Sequence, residues 1–244
     1  MNADRIKEII ESVGTAGVPE ILSIKKAEMT GPRLGVFASS FNPPTTAHVE
    51  LIKRATRNFS LDQVMALAGK ANADKTAYEC PLEDRIAMLE LTFAEQPRIS
   101  IGLSSHAFYV DILEALERQY PDQTDLHFIV GLDTFERVLD FEDQYSNRFY
   151  RTFKGRGEAL SFLFSKSNFI VAGRSGAGLE KVELLMSREK AVPSDRVKYL
   201  DFPGDLGDLS ATEVRRRRRE GCPIQGLVPA AVQNYIEEHA IYAN

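Results

Sequence analysis

The fold is decided by residues 34–48, which read Leu-Gly-Val-Phe-Ala-Ser-Ser-Phe-Asn-Pro-Pro-Thr-Thr-Ala-His. The first part of this stretch is an apolar run that ends before the Asn-Pro-Pro sequence at residues 42–44. Such a run is typical of a buried strand in a parallel sheet that leads into a loop. From Thr46 onwards, His48 and several apolar residues recur at helical spacing. The stretch therefore predicts a strand, a loop and a helix in that order.

The alternation of strands and helices continues along the rest of the chain. Helices are predicted at residues 81–93 and 110–116, and further strands at residues 64–68, 99–103, 126–130, 169–172 and 197–200. Strands separated by helical segments favour an α/β fold with a Rossmann-like, doubly wound parallel sheet and helices on both faces. The polar and aromatic segment 140–157 has weak periodicity and is interpreted as a loop or insertion near the carboxyl edge of the sheet.

Two terminal segments complete the predicted organisation. Residues 1–30 are interpreted as an N-terminal helical extension, because apolar residues between Asp4 and Ile24 recur at helical spacing until glycines interrupt them. This extension is expected to pack on the main body, over a sheet edge or at a subunit contact. Residues 31–244 are interpreted as one domain with a small C-terminal helical part at about residues 205–244.

The composition excludes several classes of protein. The 244 residues include 30 Lys and Arg and 35 Asp and Glu, and the net charge of −5 argues against a protein that coats nucleic acid. Cys80 and Cys222 are too few for a disulfide scaffold or a cysteine zinc site, and the histidines show no ligand spacing, so no resident metal site is expected. No apolar run approaches the roughly 20 residues that cross a bilayer. A cytoplasmic location without membrane or nucleic-acid partners is expected.

The loop after the first strand is the first candidate site. Ligands of a doubly wound sheet bind in the crevice beyond the carboxyl ends of its strands, and the N-terminus of the following helix offers free N–H groups to a phosphate. Hydroxyl groups of Ser39, Ser40, Thr45 and Thr46 add donors. His48 lies about one helical turn beyond Thr45. The alternative is structural: Thr45 or Thr46 caps the helix, and His48 is a buried histidine with satisfied hydrogen bonds.

The second candidate is a helix start at residues 209–215, which read Leu-Ser-Ala-Thr-Glu-Val-Arg. Ser210 and Glu213 have the spacing of a capping box, so the hydroxyl groups of Ser210 and Thr212 lie at the positive end of a helix. Arg215 lies one turn further and could contact a polyphosphate through a charge-assisted fork.

The consecutive arginines at residues 215–219 suggest a nucleic-acid contact as another interpretation. In a helix, however, five successive side chains radiate around more than one full turn and cannot form a single basic stripe. We expect most of them to be exposed to solvent or paired with acids such as Glu213 and Glu220.

Two weaker candidates follow other strands. Gly131 ends the strand predicted at 126–130 and would let a ligand approach the backbone, and Asp133 could accept from a ribose hydroxyl or help hold Mg²⁺. Lys75 lies in the polar loop after the strand at 64–68 and could contact a second phosphate. Glycine and aspartate after a strand are common, and a single lysine is more often a surface charge, so neither feature decides the function alone.

Together these segments resemble the nucleotidyltransferase superfamily whose motifs read His/Thr-x-Gly-His and Ile-Ser-x-Thr-x-x-Arg. Residues 45–48 (Thr-Thr-Ala-His) and 209–215 match the two motifs. Within the superfamily, the closest resemblance is to the nicotinamide/nicotinate mononucleotide adenylyltransferases, because Ser-Phe-Asn-Pro at 40–43, Gly-x-Asp at 131–133 and a Val-Pro…Tyr-Ile helix within 227–239 also match. The resemblance covers about residues 33–242, and the order of the motifs is its most specific feature.

The resemblance implies transfer of an adenylyl group from ATP to nicotinamide or nicotinate mononucleotide, with Mg²⁺ accompanying ATP and pyrophosphate leaving. The implied catalytic residues are His48, Arg215 and Thr45. The implied ATP-binding residues are Phe37, Ser39, Ser40, His48, Gly131, Asp133, Ser210, Thr212 and Arg215, and the implied mononucleotide-binding residues are Phe41, Asn42 and Lys75. The partners are then small-molecule substrates, and a homo-oligomer stays open.

Two departures from the family pattern keep other functions open. Ala47 replaces the glycine of the first motif and narrows the approach of a phosphate, and the chain contains no Trp to stack on a pyridine ring. Phe108 or Phe141 would have to replace that Trp. The alternatives are nucleotidyl transfer to another phosphorylated acceptor such as phosphopantetheine, the use of CTP, and a non-catalytic nucleotide-binding protein or slow ATPase.

Overall fold

The computed structural model describes residues 3–15, 17–70, 79–142, 144, 153–203 and 209–243. The strands are β1 (Ile21–Lys25), β2 (Arg33–Ser39), β3 (Gln63–Gly69), β4 (Ile99–Ser104), β5 (Asp125–Gly131), β6 (Asn168–Arg174) and β7 (Val197–Phe202). The helices are α1 (Ala3–Ser12), α2 (Thr46–Asn58), α3 (Leu82–Thr92), α4 (Tyr109–Glu117), α5 (Leu132–Leu139), α6 (Arg156–Lys166), α7 (Ser175–Arg188), α8 (Ala211–Arg219) and α9 (Ala230–Glu238).

The strands form a seven-stranded sheet in the order β1-β4-β3-β2-β5-β6-β7. Neighbouring strands run parallel except β1, which is antiparallel to β4. The chain winds outward from β2 to β4 and then returns to β5 on the other side of β2. This is the doubly wound order that the alternation of elements predicts. Strands β2 to β7 and helices α2, α3 and α4 are confirmed, with small shifts at their ends.

Helices cover both faces of the sheet. Helices α1, α2 and α3 pack on one face over residues such as Phe37 and Val64, and α4 to α7 pack on the other face over residues such as Val36 and Phe128. Successive residues of β2 therefore enter opposite cores, as the pleat of a strand requires. A third, smaller core joins α8 and α9 to α3 around Cys80 and Met88. The C-terminal helices are thus seated beside α3.

The N-terminal extension differs from its predicted helical character. Residues 3–12 form α1, but residues 21–25 form β1, which pairs with β4 along the edge of the sheet. Ile21 is buried and lies opposite Ser104. A short apolar segment has no decisive period of its own. The open backbone of β4 makes this segment a strand, and the pairing covers part of an exposed sheet edge.

Helices α5, α6 and α7 were not predicted. Helix α5 begins directly after Gly131, so no turn residues separate it from β5. Helix α6 begins at Arg156, inside the segment 140–157 for which the sequence predicts a loop or insertion. Residues 143 and 145–152 of that segment lie outside the described residues. Among the helices in the described ranges, none has both the length and the apolar character needed to cross a membrane.

Candidate active site

A cleft opens where the order of the sheet reverses. Strands β2 and β5 are neighbours, yet the chain leaves them toward opposite edges, and a doubly wound sheet binds its ligands at such a point. The cleft has a volume of about 530 Å³, a size typical of small-molecule sites. It is lined by Ala47, His48, Leu51, Gly131, Leu132, Asp133, Thr134, Arg137, Ala172, Gly173, Gly178, Lys181, Phe202 and Leu209.

The cap of α2 determines which nitrogen of the His48 imidazole carries the proton. Thr45 Oγ1 accepts from the backbone N–H of His48 at 3.3 Å, and His48 Nδ1 accepts from the backbone N–H of Thr45 at 3.0 Å. Because Nδ1 is an acceptor, the proton of the neutral ring lies on Nε2. The rings of Phe37 and Phe41 lie 5.6 and 5.3 Å from the imidazole, and burial lowers the pKa of His48 to about 4. His48 is therefore a neutral Nε2–H donor at neutral pH.

The structural interpretation of His48 does not exclude the functional one. A cap by Thr45 or Thr46 was predicted; Thr45 forms it, and the cap occupies only Nδ1 of the ring. Within the described ranges, Nε2 has no hydrogen-bond partner, and His48 lines the cleft. The cap therefore orients the ring and leaves its donor for a ligand.

The start of α5 forms a second wall of the cleft. Gly131 is the N-cap residue, so no side chain caps the first turn, where Asp133 lies. A Cβ atom placed on Gly131 would meet no atom of the described residues within 4 Å, and its φ of −77° suits any residue. Gly131 therefore leaves open space beside the cleft rather than permitting an unusual backbone. This helix start can receive an anion or a polar group of a ligand.

Two basic residues outside the predicted motifs also line the cleft. Arg137 Nε donates to the carbonyl oxygen of Asp133 at 3.2 Å, and Lys181 Nζ lies 2.9 Å from a carboxylate oxygen of Glu136. The spacing of Arg137 one turn after Asp133 was a signal that could have found the first of them. Lys181 belongs to α7, which was not predicted, so its sequence context offered no such signal.

Two glycines that were not assigned a role also belong to this surface. A Cβ atom on Gly173 would lie 2.7 Å from the ring of Tyr199 and 3.1 Å from Cα of Gly178. A side chain at Gly178 would in turn approach the hydroxyl of Tyr199 to 2.8 Å. The pair lets α7 come close to the end of β6, which shapes the floor of the cleft.

The predicted aromatic and hydroxyl residues of the first motif lie in different layers. Phe37 is buried and Phe41 is fully buried, and both pack behind His48 rather than among the residues that line the cleft. Ser39, the last residue of β2, and Ser40, the first residue of the following loop, are half-buried. A ligand contact by these four residues stays a prediction.

Arg215 lies against this loop instead of lining the cleft. Its Nη1 donates to the carbonyl oxygen of Asn42 at 2.6 Å, and its Nη2 donates to Thr212 Oγ1 at 3.3 Å. Its Nε lies 3.4 Å from a carboxylate oxygen of Glu79. The structure therefore joins the second motif to the first through Arg215. A contact between Arg215 and a phosphate stays a prediction.

Ser210 caps α8 as predicted, but the capping box is only half formed. Ser210 Oγ accepts from the backbone N–H of Glu213 at 3.2 Å. The carboxylate of Glu213 accepts from Arg216 and Arg217 instead of closing the box, and these hydrogen bonds lower the pKa of Glu213 to about 2. The expected pairing of arginines with neighbouring acids is thus confirmed. The preceding Leu209 lines the cleft, so the start of α8 reaches its edge.

The remaining predicted contacts do not meet in the cleft. Lys75 lies outside the described residues. Phe108 and Phe141, considered as replacements for a pyridine-stacking Trp, do not line the cleft. The guanidinium groups of Arg156 and Arg188 lie over the ring of Phe141, 5.0 and 4.6 Å from its centroid. Phe141 is therefore already engaged by two cations.

The chain is similar to a large set of known proteins. Residues 36–217 match the family model described as cytidylyltransferase-like. A protein of Salinibacter ruber with the name "Probable nicotinate-nucleotide adenylyltransferase" is 30% identical over 215 residues, which cover 86% of this chain and 97% of that protein. A protein of the same name from Geobacter sulfurreducens is 27% identical over 235 residues, which cover 87% of this chain and 99% of that protein.

A solved structure has the same fold. The Plasmodium falciparum nicotinic acid mononucleotide adenylyltransferase complexed with NaAD superposes with a TM-score of 0.61 over 87% of this chain and 98% of that chain. Its sequence identity to this chain is 15%, so the likeness concerns the fold. It confirms the predicted Rossmann-like, doubly wound sheet.

Proposed function

This chain belongs to the cytidylyltransferase-like family and, within it, to the nicotinate-nucleotide adenylyltransferases, and we propose that it transfers the adenylyl group of ATP to nicotinate mononucleotide. The products are nicotinate adenine dinucleotide and pyrophosphate. Nicotinamide mononucleotide, which would give NAD, is the second acceptor. The observation that carries the proposal is His48, a neutral Nε2–H donor held at the N-terminus of α2 on the wall of the cleft.

The reaction exchanges one phosphorus–oxygen bond for another. A phosphate oxygen of the mononucleotide attacks the α-phosphorus of ATP in line. The bond from that phosphorus to the oxygen bridging to the β-phosphate breaks, and pyrophosphate leaves with the electron pair. The protein supplies no nucleophile. Its work is to place two phosphates that repel each other and to stabilise the negative charge that develops on their oxygens.

The start of α2 is suited to that work. The positive end of its helix dipole favours an anion, and His48 Nε2 adds a donor whose orientation the cap determines in advance. Since the imidazole is neutral, it contributes a hydrogen bond at any pH well above its pKa of about 4. A donor that is already oriented costs no reorganisation when charge develops in the transition state.

The roles proposed for the other motifs follow the family resemblance. The start of α5 with Gly131 and Asp133 would hold the nucleoside part of ATP, and Ser210, Thr212 and Arg215 would hold the β- and γ-phosphates. Supporting this assignment, Leu209, which directly precedes the N-cap of α8, lines the cleft together with His48. Mg²⁺ enters as part of the substrate, bound to the phosphates of ATP, and offsets the charge of the leaving pyrophosphate.

The proposal is tested by the products formed from each acceptor. The protein is incubated with ATP, Mg²⁺ and either nicotinate or nicotinamide mononucleotide, and the dinucleotide and pyrophosphate are measured by chromatography. We expect dinucleotide and pyrophosphate in equal amounts, with the higher kcat/KM for the nicotinate form. A higher kcat/KM for the nicotinamide form would identify nicotinamide mononucleotide as the preferred acceptor. ATP binding without dinucleotide from either acceptor would contradict the proposal and favour the nucleotide-binding alternative.

A further inference from the structure

The C-terminal tail turns back into the protein after α9. Ala240 and Tyr242 have φ angles of 49° and 60°, in the left-handed region that residues with a side chain rarely adopt. These turns place Tyr242, which is 6% exposed, in the small core that α8 and α9 share with α3. Each such residue costs about 1 kcal/mol or more, so it persists where surrounding contacts determine its conformation.

The hydroxyl of Tyr242 reaches the loop between β2 and α2. Tyr242 Oη donates to Asn42 Oδ1 at 2.6 Å, and Asn42 is itself 3% exposed. Burial raises the pKa of Tyr242, so its hydroxyl stays protonated and acts as a donor throughout the neutral range. Because Oδ1 is occupied by the tail, the amide of Asn42 is oriented and its Nδ2 is the group left to donate to another partner.

Other contacts to this loop hold its backbone and not the Asn42 side chain. Arg215 donates to the carbonyl oxygen of Asn42 at 2.6 Å, and Arg85 donates to the carbonyl oxygen of Ser40 at 2.9 Å. Within the part of the chain that the structure describes, Tyr242 is the hydrogen-bond partner of the Asn42 side chain. The orientation of the amide therefore depends on the tail.

The residues of this region that are expected to contact ATP are held by other hydrogen bonds. Thr45 and His48 are bound to each other through the cap of α2, and the backbone N–H of Thr46 donates to the carbonyl oxygen of Leu227 at 3.0 Å. Loss of the Tyr242 hydroxyl would leave these contacts in place. A defect at Tyr242 should accordingly affect one substrate and not the other.

We infer that Tyr242 is a positioning residue for the mononucleotide, because it orients the Asn42 amide so that Nδ2 donates to an acceptor group of that substrate. This inference rests on the proposed function and on the predicted contact between Asn42 and the mononucleotide. It gives the C-terminal tail a role in the affinity for the acceptor substrate. The role is indirect, since the hydroxyl of Tyr242 acts through Asn42.

The test compares two tyrosine-to-phenylalanine variants, each of which loses one hydroxyl group. Tyr242→Phe removes the hydroxyl that donates to Asn42. Tyr235→Phe removes another hydroxyl of the C-terminal region, which donates to Asp84 Oδ1 at a distance of 2.8 Å. For Tyr242→Phe we expect the KM for the mononucleotide to rise about fivefold to tenfold, the loss typical of one hydrogen bond. The KM for ATP and kcat should stay close to wild type, while Tm should fall modestly, because the buried Oδ1 of Asn42 loses its donor. Tyr235→Phe should leave both KM values unchanged.

Two variants of Asn42 show whether Tyr242 acts through this residue. In an Asn42→Ala background, Tyr242→Phe should have no further effect on the KM for the mononucleotide, because residues acting through one contact are not additive. Asn42→Asp keeps an acceptor for Tyr242 but replaces the Nδ2 donor with a carboxylate oxygen. It should raise the KM for the mononucleotide and leave the KM for ATP close to wild type, even if the variants of Tyr242 fold poorly.

The outcomes separate this inference from the proposed function. A wild-type protein that transfers to neither mononucleotide would overturn both. An active wild type with an unchanged KM in Tyr242→Phe, or with equal effects of Tyr242→Phe and Tyr235→Phe, would overturn the inference alone. The inference would also be overturned by a fall in Tm without a change in KM, or by a full effect of Tyr242→Phe in the Asn42→Ala background.

Discussion

At the scale of single residues, the chemistry of the cleft depends on how the ring of His48 is held. Its Nδ1 is engaged in the cap of α2, and Phe37 and Phe41 surround the ring. The two threonines at the start of α2 could be seen in the sequence, and they predicted a cap by Thr45 or Thr46. The aromatic surroundings could not, because they depend on Phe41 taking a φ of 44° and turning into the core.

We expect His48→Ala to lower kcat/KM by about 100-fold or more, the usual cost of removing an oriented donor from a transition state. Steady-state kinetics with ATP and nicotinate mononucleotide measure the effect. His239→Ala is the matched control, since His239 is exposed on the C-terminal part of the chain and does not line the cleft. A kcat/KM near the wild-type value in His48→Ala would show that another group performs this role.

The low pKa of His48 also predicts a pH dependence of stability. The ordinary value of 6.5 applies to the unfolded chain, and the value in the folded chain is about 4. Between pH 6.5 and pH 4 the unfolded chain binds a proton at His48 that the folded chain does not bind. The unfolding free energy therefore falls as the pH decreases through this window, and the contribution of His48 is fully present above about pH 6.5. The expected loss is about 3 kcal/mol between pH 7 and pH 4.

Urea unfolding across this pH range, compared between wild type and His48→Asn, isolates that contribution. The wild type should lose more unfolding free energy than the variant as the solution is acidified. If the unfolding free energy had the same slope against pH in both proteins, His48 would keep an ordinary pKa in the folded chain.

At Gly131 we expect a substitution to affect the ligand and spare the fold. Gly131→Ala should fold with an unchanged Tm, because a Cβ atom there meets nothing within 4 Å, but it should weaken ATP binding about tenfold or more by filling space in the cleft. Calorimetry with Mg·ATP measures the affinity. Gly157→Ala, in α6, is the control: it also adds a Cβ in open space, and it should leave ATP binding unchanged. Equal ATP affinity in wild type and Gly131→Ala would place the nucleotide elsewhere.

At the scale of elements, the sequence predicted those whose own pattern is decisive. Buried parallel strands are short apolar runs, and α2, α3 and α4 have apolar residues on one face. Helix α5 escaped prediction because it follows β5 without a turn, and β1 because its state depends on pairing with the edge of β4. The half-formed capping box of α8 has a similar cause, since the nearby Arg216 and Arg217 compete for the carboxylate of Glu213.

Strand β1 is expected to contribute to stability and not to catalysis. Ile21 is 2% exposed and packs in the core beneath α4, so Ile21→Ala should lower the unfolding free energy by about 2–4 kcal/mol. Chemical denaturation measures this loss, and kcat/KM of the folded protein should stay unchanged. Leu22→Ala, at a half-buried neighbouring position, should cost less. A large fall in kcat/KM with little loss of stability would assign the extension a direct role at the active site.

At the scale of the whole molecule, the order of motifs along the chain predicted the family better than it predicted which residues line the cleft. The doubly wound sheet brings His48, Gly131 and Asp133 to one cleft. Phe37, Phe41 and Arg215 take supporting positions behind or beside the loop, which a motif pattern cannot distinguish from positions on its surface. Arg137 and Lys181 reach the cleft from helices whose placement only the folded chain reveals.

The charge of the whole molecule predicts that it does not retain RNA. The net charge is −5, and Arg216 and Arg217 are engaged by Glu213, so the arginine run presents no free basic stripe. Filter retention of a labelled single-stranded RNA at about 0.15 M salt should be at background level. Saturable retention that weakens steeply with added salt would revive a nucleic-acid role.

The central claim is that the adenylyl group moves from ATP to the mononucleotide, and positionally labelled ATP tests it most directly. With Mg²⁺ and nicotinate mononucleotide, a label in the α-phosphate of ATP should appear in the dinucleotide, and a label in the γ-phosphate should appear in pyrophosphate. The same assay with His48→Ala should show the same products at a rate lower by about 100-fold or more. Release of the γ-label as free phosphate, with the α-label remaining in ADP, would identify an ATPase and contradict the account.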